Sequence, residues 1–152
     1  MMSQKKISIT YEEFPKGAGL EQQDSELLKK AADAAKSAYA PYSNFNVGAA
    51  VRLSNGEVIA ASNQENAAYP SGLCAERVAI FYAHARYPDS NIESIAVTAS
   101  VDGHLCEDPT YPCGACRQVL AEFGEDIKIY YGNNNKITET TLKEILPHTF
   151  RL

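Results

Sequence analysis

Residues 47–62 read VGAAVRLSNGEVIAAS, two apolar runs, Val47–Leu53 and Val58–Ser62, on either side of Asn55-Gly56. Asn and Gly both tolerate positive φ, and this pair between strand-forming residues is the strongest short-range hairpin signal. The stretch predicts two adjacent antiparallel strands. Upstream, ELLKKAADAAKSAYA (26–40) is rich in helix formers, with Asp24 or Ser25 as its N-cap and Pro41 as its stop. Downstream, CAERVAIFYAHARY (74–87) is apolar nearly all round and is followed by Pro88, which predicts a helix buried on several sides. SIAVTASV (94–101) reads as an inner strand, 102–111 as a loop, and CGACRQVLAEF (113–123) as a third helix ending at Gly124. Ile127–Tyr131 reads as a further strand, 133–135 as a turn, Lys136–Thr140 as a last strand, and Thr141–Leu146 as a short helix before Pro147. This order predicts an α/β chain with three layers, α/β/α: a mixed sheet of about five strands with helices on both faces.

The chain of 152 residues and 16.6 kDa has the size of one compact domain, and by surface scaling about two thirds of its extended-chain surface is buried on folding. Residues 1–23 mix charged and polar residues with a few apolar ones and predict an N-terminal arm, either a short edge strand or a loose segment. Residues 24–152 are expected to form a single folded domain. No apolar run approaches the ~20 residues of a membrane span, and Met1–Thr10 lacks the pattern of a signal peptide, so a cytoplasmic protein with no membrane partner is expected. The net charge of -5 and the absence of a Lys/Arg cluster argue against nucleic acid as a partner.

Four cysteines would suffice for two disulfides, but Cys113 and Cys116 form a Cys-x-x-Cys in a chain without a secretory signal, where metal or redox chemistry is favoured. Cys74, Cys113 and Cys116 each fall at or just before the start of an expected helix. Unpaired amides and the positive end of the dipole at such a terminus lower a thiol's pKa and favour the thiolate that binds metal. Three protein ligands leave zinc a position for water, whereas four close the site into a structural one. Cys106, in the loop GHLCEDPTYP (103–112), is the one remaining sulfur. With Cys74 at the helix mouth, Glu76 reaches the open side of such a site and serves as general base and then general acid. Three thiolates around Zn²⁺ carry a net charge of -1, and Arg77, three residues from Cys74, is placed to offset it.

Cys74-Ala75-Glu76 followed by Pro112-Cys113-Gly114-Ala115-Cys116-Arg117-Gln118 resembles the zinc signature of the cytidine deaminases. AYAPYSNFNVGAAV (38–51), NQENAAY (63–69) and ILPHTF (145–150) stand in the order and spacing of the small, homotetrameric nucleoside deaminases. The resemblance implies the three-layer α/β/α cytidine-deaminase-like fold and one Zn²⁺ per chain, held by Cys74, Cys113 and Cys116. It implies Glu76 as proton shuttle, Asn63 and Glu65 on the ribose hydroxyls, Phe45 beside the base, and the Ala75 backbone on the pyrimidine. Tyr69 and Phe150 match positions that build a pocket shared between the subunits of a homotetramer. The implied enzyme is a hydrolase of pyrimidine salvage that converts the small-molecule nucleosides cytidine and 2′-deoxycytidine to uridine and 2′-deoxyuridine with release of ammonia.

Three other readings compete with this one. A deaminase acting on a related aminopyrimidine nucleoside such as blasticidin S would share the zinc signature. A thiol-disulfide redox protein would use Cys113 and Cys116 and leave Cys74 and Glu76 unexplained. A non-enzymatic module would close a structural zinc with Cys106 as fourth ligand.

Overall fold

The computed structural model describes residues 2–133 and 135–152; position 134, within the expected turn at 133–135, and position 1 lie outside the described residues. The strands are β1 (Glu12–Pro15), β2 (Phe45–Leu53), β3 (Val58–Ser62), β4 (Ile92–Val101), β5 (His104–Leu105), β6 (Lys128–Gly132) and β7 (Lys136–Thr141). They form one sheet in the order β1-β7-β6-β4-β2-β3, with β5 paired to β4. Among the strands of the described residues, β4–β6 is the one neighbouring pair that is parallel, so the sheet is mixed. The helices are α1 (Gln22–Ala35), α2 (Ala75–Arg86), α3 (Gly114–Phe123) and α4 (Leu142–Ile145).

The expected three layers are present. On one face, Leu27, Leu28 and Ala31 of α1 pack on Ala50, Ala96 and Tyr130. On the other, Ala79, Ile80 and Ala83 of α2 and Leu120 of α3 pack on Val51, Ile95, Val97 and Ile129. Burying these side chains stabilises each by roughly 1.5–3 kcal/mol for the larger aliphatic ones. α1 lies very close to β2. A Cβ at Gly48 would stand 1.8 Å from the Ala31 carbonyl oxygen, so only glycine fits where helix backbone meets strand.

Among the described residues the sheet has seven strands where about five were expected. β1 comes from the stretch read as an arm: Glu12–Pro15 pair with 136–139 at the sheet edge, the strand alternative of that expectation. β5 falls in the stretch read as a loop. Asp102 and Gly103 both have positive φ (51° and 79°) and make the two-residue turn between β4 and β5. The Asn55-Gly56 turn is different from the one its sequence predicts. Only Gly56 has positive φ (87°), Gly56 N–H donates to Leu53 O, and Leu53 N–H donates to Glu57 O, a type I turn closed by a glycine bulge.

α1 begins at Gln22, with Glu21 as an extended N-cap that makes no side-chain capping bond. Asp24 and Ser25 are therefore inside the helix. Asp24 points inward, accepts a 2.8 Å bond from Arg52 Nη1 and a 2.9 Å bond from the Tyr130 hydroxyl, and is nearly fully buried. A carboxylate turned inward to two donors faces away from the helix amides, and the N-cap lies at Glu21, three residues upstream of Asp24. α2 buries Ala75, Glu76, Ala79, Ile80 and Ala83 but leaves Phe81 and Tyr82 exposed, so one face of this apolar helix is uncovered in the single chain. No helix among the described residues is long and apolar enough to cross a membrane.

Candidate metal centre and nucleoside pocket

Two helix mouths meet at one point. Cys74 is the N-cap of α2 and Cys113 the N-cap of α3, both in extended conformation and with no side-chain capping bond, so their sulfurs are free to face away from the helix amides. Cys116 lies in the first turn of α3 and is fully buried. The Sγ atoms of Cys74 and Cys113 are 3.9 Å apart and those of Cys113 and Cys116 3.5 Å apart, and all three lie within 4.8 Å of one another. Tetrahedral zinc with Zn–S bonds of about 2.3 Å needs sulfurs roughly 3.8 Å apart, so this donor set fits the ion in spacing and in chemistry. No fourth His, Cys, Asp or Glu among the described residues joins the group. Cys106 is instead half-buried against the core, its backbone amide bonded to Ala99 O at 2.9 Å.

The electrostatics follow from the packing. A hydrogen bond from Cys116 and the neighbouring Arg77 hold the Cys74 thiol down at about 5 despite its partial burial. Cys116 is pushed up by its bond to Cys74 and by burial. Arg77 Nη2 donates to Cys74 Sγ at 3.6 Å, the contact that its spacing of three residues predicts. Glu76 is 4 % exposed, and burial, with the Cys74 charge adding, raises its carboxyl to about 7.

These groups open onto a cavity of about 600 Å³ lined by Phe45, Asn63, Glu65, Tyr69, Cys74, Glu76, Arg77 and Cys113 among others. Asn63 and Glu65, on the chain leaving β3, both line it. The Asn63 amide is anchored on β2 through half of its hydrogen-bonding capacity: its Oδ1 accepts from Val47 N–H at 2.8 Å and its Nδ2 donates to Phe45 O at 2.9 Å, which leaves one N–H and one lone pair. Glu65 Oε2 accepts from the amides of Tyr42 (2.9 Å) and Ser43 (3.3 Å), and Oε1 accepts from the Ser43 hydroxyl. That last bond and the Tyr42 amide hold the Glu65 carboxyl below its ordinary range. Tyr69 is 76 % exposed at the rim and meets Tyr42 edge-on, with ring centroids 6.0 Å apart.

Two of the expected substrate residues do not line the cavity in the single chain. Ala75 is fully buried at the start of α2, and Phe150 is 65 % exposed, tied to α3 through its carbonyl, which accepts from Gln118 Nε2 at 3.0 Å. Sequence reasoning missed Tyr42, Ser43 and Tyr111, which do line the cavity. It also missed Arg117, whose Nε donates to Pro112 O and whose Nη1 donates to Ile145 O, both at 2.8 Å, locking the approach to Cys113 against α4. Ser43 sits in the quoted stretch AYAPYSNFNVGAAV, but nothing in a lone serine of a turn marks it beforehand.

Comparison with known proteins agrees with this geometry. The family described as "Cytidine and deoxycytidylate deaminase zinc-binding region" matches residues 21–133. A cytidine deaminase of Halalkalibacterium halodurans is 44% identical over 126 residues, covering 82% of this chain and 91% of that protein. A blasticidin-S deaminase of Bacillus cereus is 28% identical over 130 residues, 84% of this chain and 92% of that protein. Among solved structures, a cytidine deaminase from Burkholderia pseudomallei superposes with a TM-score of 0.73 at 37% identity, covering 83% of this chain and 98% of that one.

Proposed function

The chain belongs to the cytidine and deoxycytidylate deaminase family, and from that premise we propose that it hydrolyses cytidine and 2′-deoxycytidine to uridine and 2′-deoxyuridine, releasing ammonia. The observation that carries this reading is the three-sulfur cluster with a buried carboxylate beside it at the floor of a nucleoside-sized cavity. Cys74, Cys113 and Cys116 would hold one zinc ion, with Arg77 drawing charge from Cys74. Bound zinc supplies Lewis-acid activation of water at neutral pH.

The residues of the chain do the rest. Glu76 takes a proton from the water that adds to C4, delivers it to N3, and then helps protonate the leaving amine, so that cytidine and water yield uridine and ammonia. Its burial keeps bulk water from competing for that proton. Asn63 and Glu65 take the ribose hydroxyls, Phe45 flanks the base, and Tyr69 stands at the rim of the pocket. A site that hydrogen-bonds sugar hydroxyls favours nucleosides that carry them over dideoxy analogues that lack them.

The reading includes a homotetramer in which Phe150 of one chain completes the cavity of another. Its support is the exposure of Tyr69, Phe150, Phe81 and Tyr82, aromatic surface that a second chain would cover. It also includes nucleoside salvage in the cytoplasm, where three reduced thiols are kept available for metal. The test is the loss of cytidine absorbance on incubation with the purified protein. Turnover that stops with a zinc chelator and returns with added zinc is expected, and turnover indifferent to chelation would overturn the metal assignment.

A further inference from the structure

The Ser43 hydroxyl links the acidic side of the cavity to the backbone that carries Phe45. It donates to Glu65 Oε1 and accepts from the Phe45 backbone amide at 3.1 Å. The polarised chain therefore runs from the Phe45 N–H through the Ser43 hydroxyl to the carboxylate, each bond strengthening the next. Glu65 Oε2 is already held by the amides of Tyr42 and Ser43, so the hydroxyl is what fixes the rotation of the second oxygen. The turn itself has an independent tie: Asn44, at a φ of 56°, donates from Nδ2 to Asp102 Oδ1 at 2.5 Å. Removing the Ser43 hydroxyl thus leaves the turn anchored while freeing one carboxylate oxygen.

We propose that Ser43 is a positioning residue that sets sugar discrimination, holding the Glu65 carboxylate in register with Phe45 so that it meets the ribose hydroxyls while the ring meets the base. This rests on the assignment of Glu65 to the ribose made above. Because Ser43 makes no contact with the reacting atoms, its loss acts on recognition of the hydroxyls and leaves the chemical step alone. A charge-assisted hydrogen bond of this kind corresponds to about a tenfold change in affinity.

The test compares wild type, Ser43→Ala and Ser43→Thr on cytidine and on 2′,3′-dideoxycytidine, with calorimetric titration of uridine and 2′,3′-dideoxyuridine as a readout independent of turnover. Ser43→Ala is expected to raise KM for cytidine about tenfold, with kcat within about twofold, and to weaken uridine to the same extent. Both dideoxy compounds should be unaffected, and Ser43→Thr should restore the wild-type ratio. A Ser43→Ala variant that weakens hydroxylated and dideoxy nucleosides equally, or neither, overturns the proposal alone. A wild-type chain that binds no nucleoside overturns it together with the assignment on which it rests.

Discussion

A carboxyl group at the head of a helix, 4 % exposed and beside three sulfurs, has one chemical use that a glutamine of the same shape cannot imitate, the exchange of a proton. Glu76→Gln is therefore expected to bind zinc at the wild-type stoichiometry, since the donor set is sulfur, and to lose at least about 10² in kcat. Metal analysis and steady-state kinetics on the same preparation check this, and near-normal turnover would remove Glu76 from its role. Residues of this kind are legible in a sequence because their geometry is local. Cys113 and Cys116 are one helical turn apart, and Glu76 and Arg77 are two and three residues from Cys74, so the helix alone brings them together. Ser43 and Arg117 are not legible in this way. Ser43 finds Glu65 22 residues on, and Arg117 finds Ile145 28 residues on, separations that only the folded chain closes.

At the scale of elements, the types were readable and several edges were not. The hairpin over 47–62 forms, but its turn uses a bulge at Gly56, while the two-residue turn with both φ positive lies at Asp102-Gly103. An Asp-Gly pair is itself a hairpin signal, so β5 was within reach of the sequence. The start of α1 was not, because whether Asp24 caps the helix or turns inward depends on Arg52 and Tyr130, which arrive from β2 and β6. The contact of α1 with β2 gives a direct test of the layering. Gly48→Ala would drive a methyl group to 1.8 Å from the Ala31 carbonyl oxygen, and neither backbone can yield without parting helix from sheet. Urea unfolding should register a loss of about 3 kcal/mol or more, at the upper end of the cost of overpacking. A variant as stable as the wild type would mean that α1 does not lie on β2 this closely.

At the scale of the whole molecule, the cavity is assembled from the turn before β2, the extended chain after β3 and the mouths of α2 and α3. Its rim stays open in one chain: Tyr69 and Phe150 are exposed, and so are Phe81 and Tyr82 on α2. On the proposed homotetramer, sedimentation should give four times the 16.6 kDa chain mass. A monomer with full cytidine turnover would mean that the single-chain cavity is complete and that Phe150 merely ties down the C-terminal end. By itself the sequence determined the layer order, the helices that Cys74 and Cys113 open, and the placing of Cys116 one turn from Cys113 and of Glu76 and Arg77 beside Cys74, because apolar periodicity, turn residues and spacings within one helical turn are short-range properties of the chain. Only the tertiary structure decided that the two helix mouths converge to within 4.8 Å, that Cys106 stays outside the cluster, and that Ser43 ties Glu65 to Phe45. Those distances are set by how the layers pack, and packing couples residues far apart in the chain through contacts that no local pattern encodes.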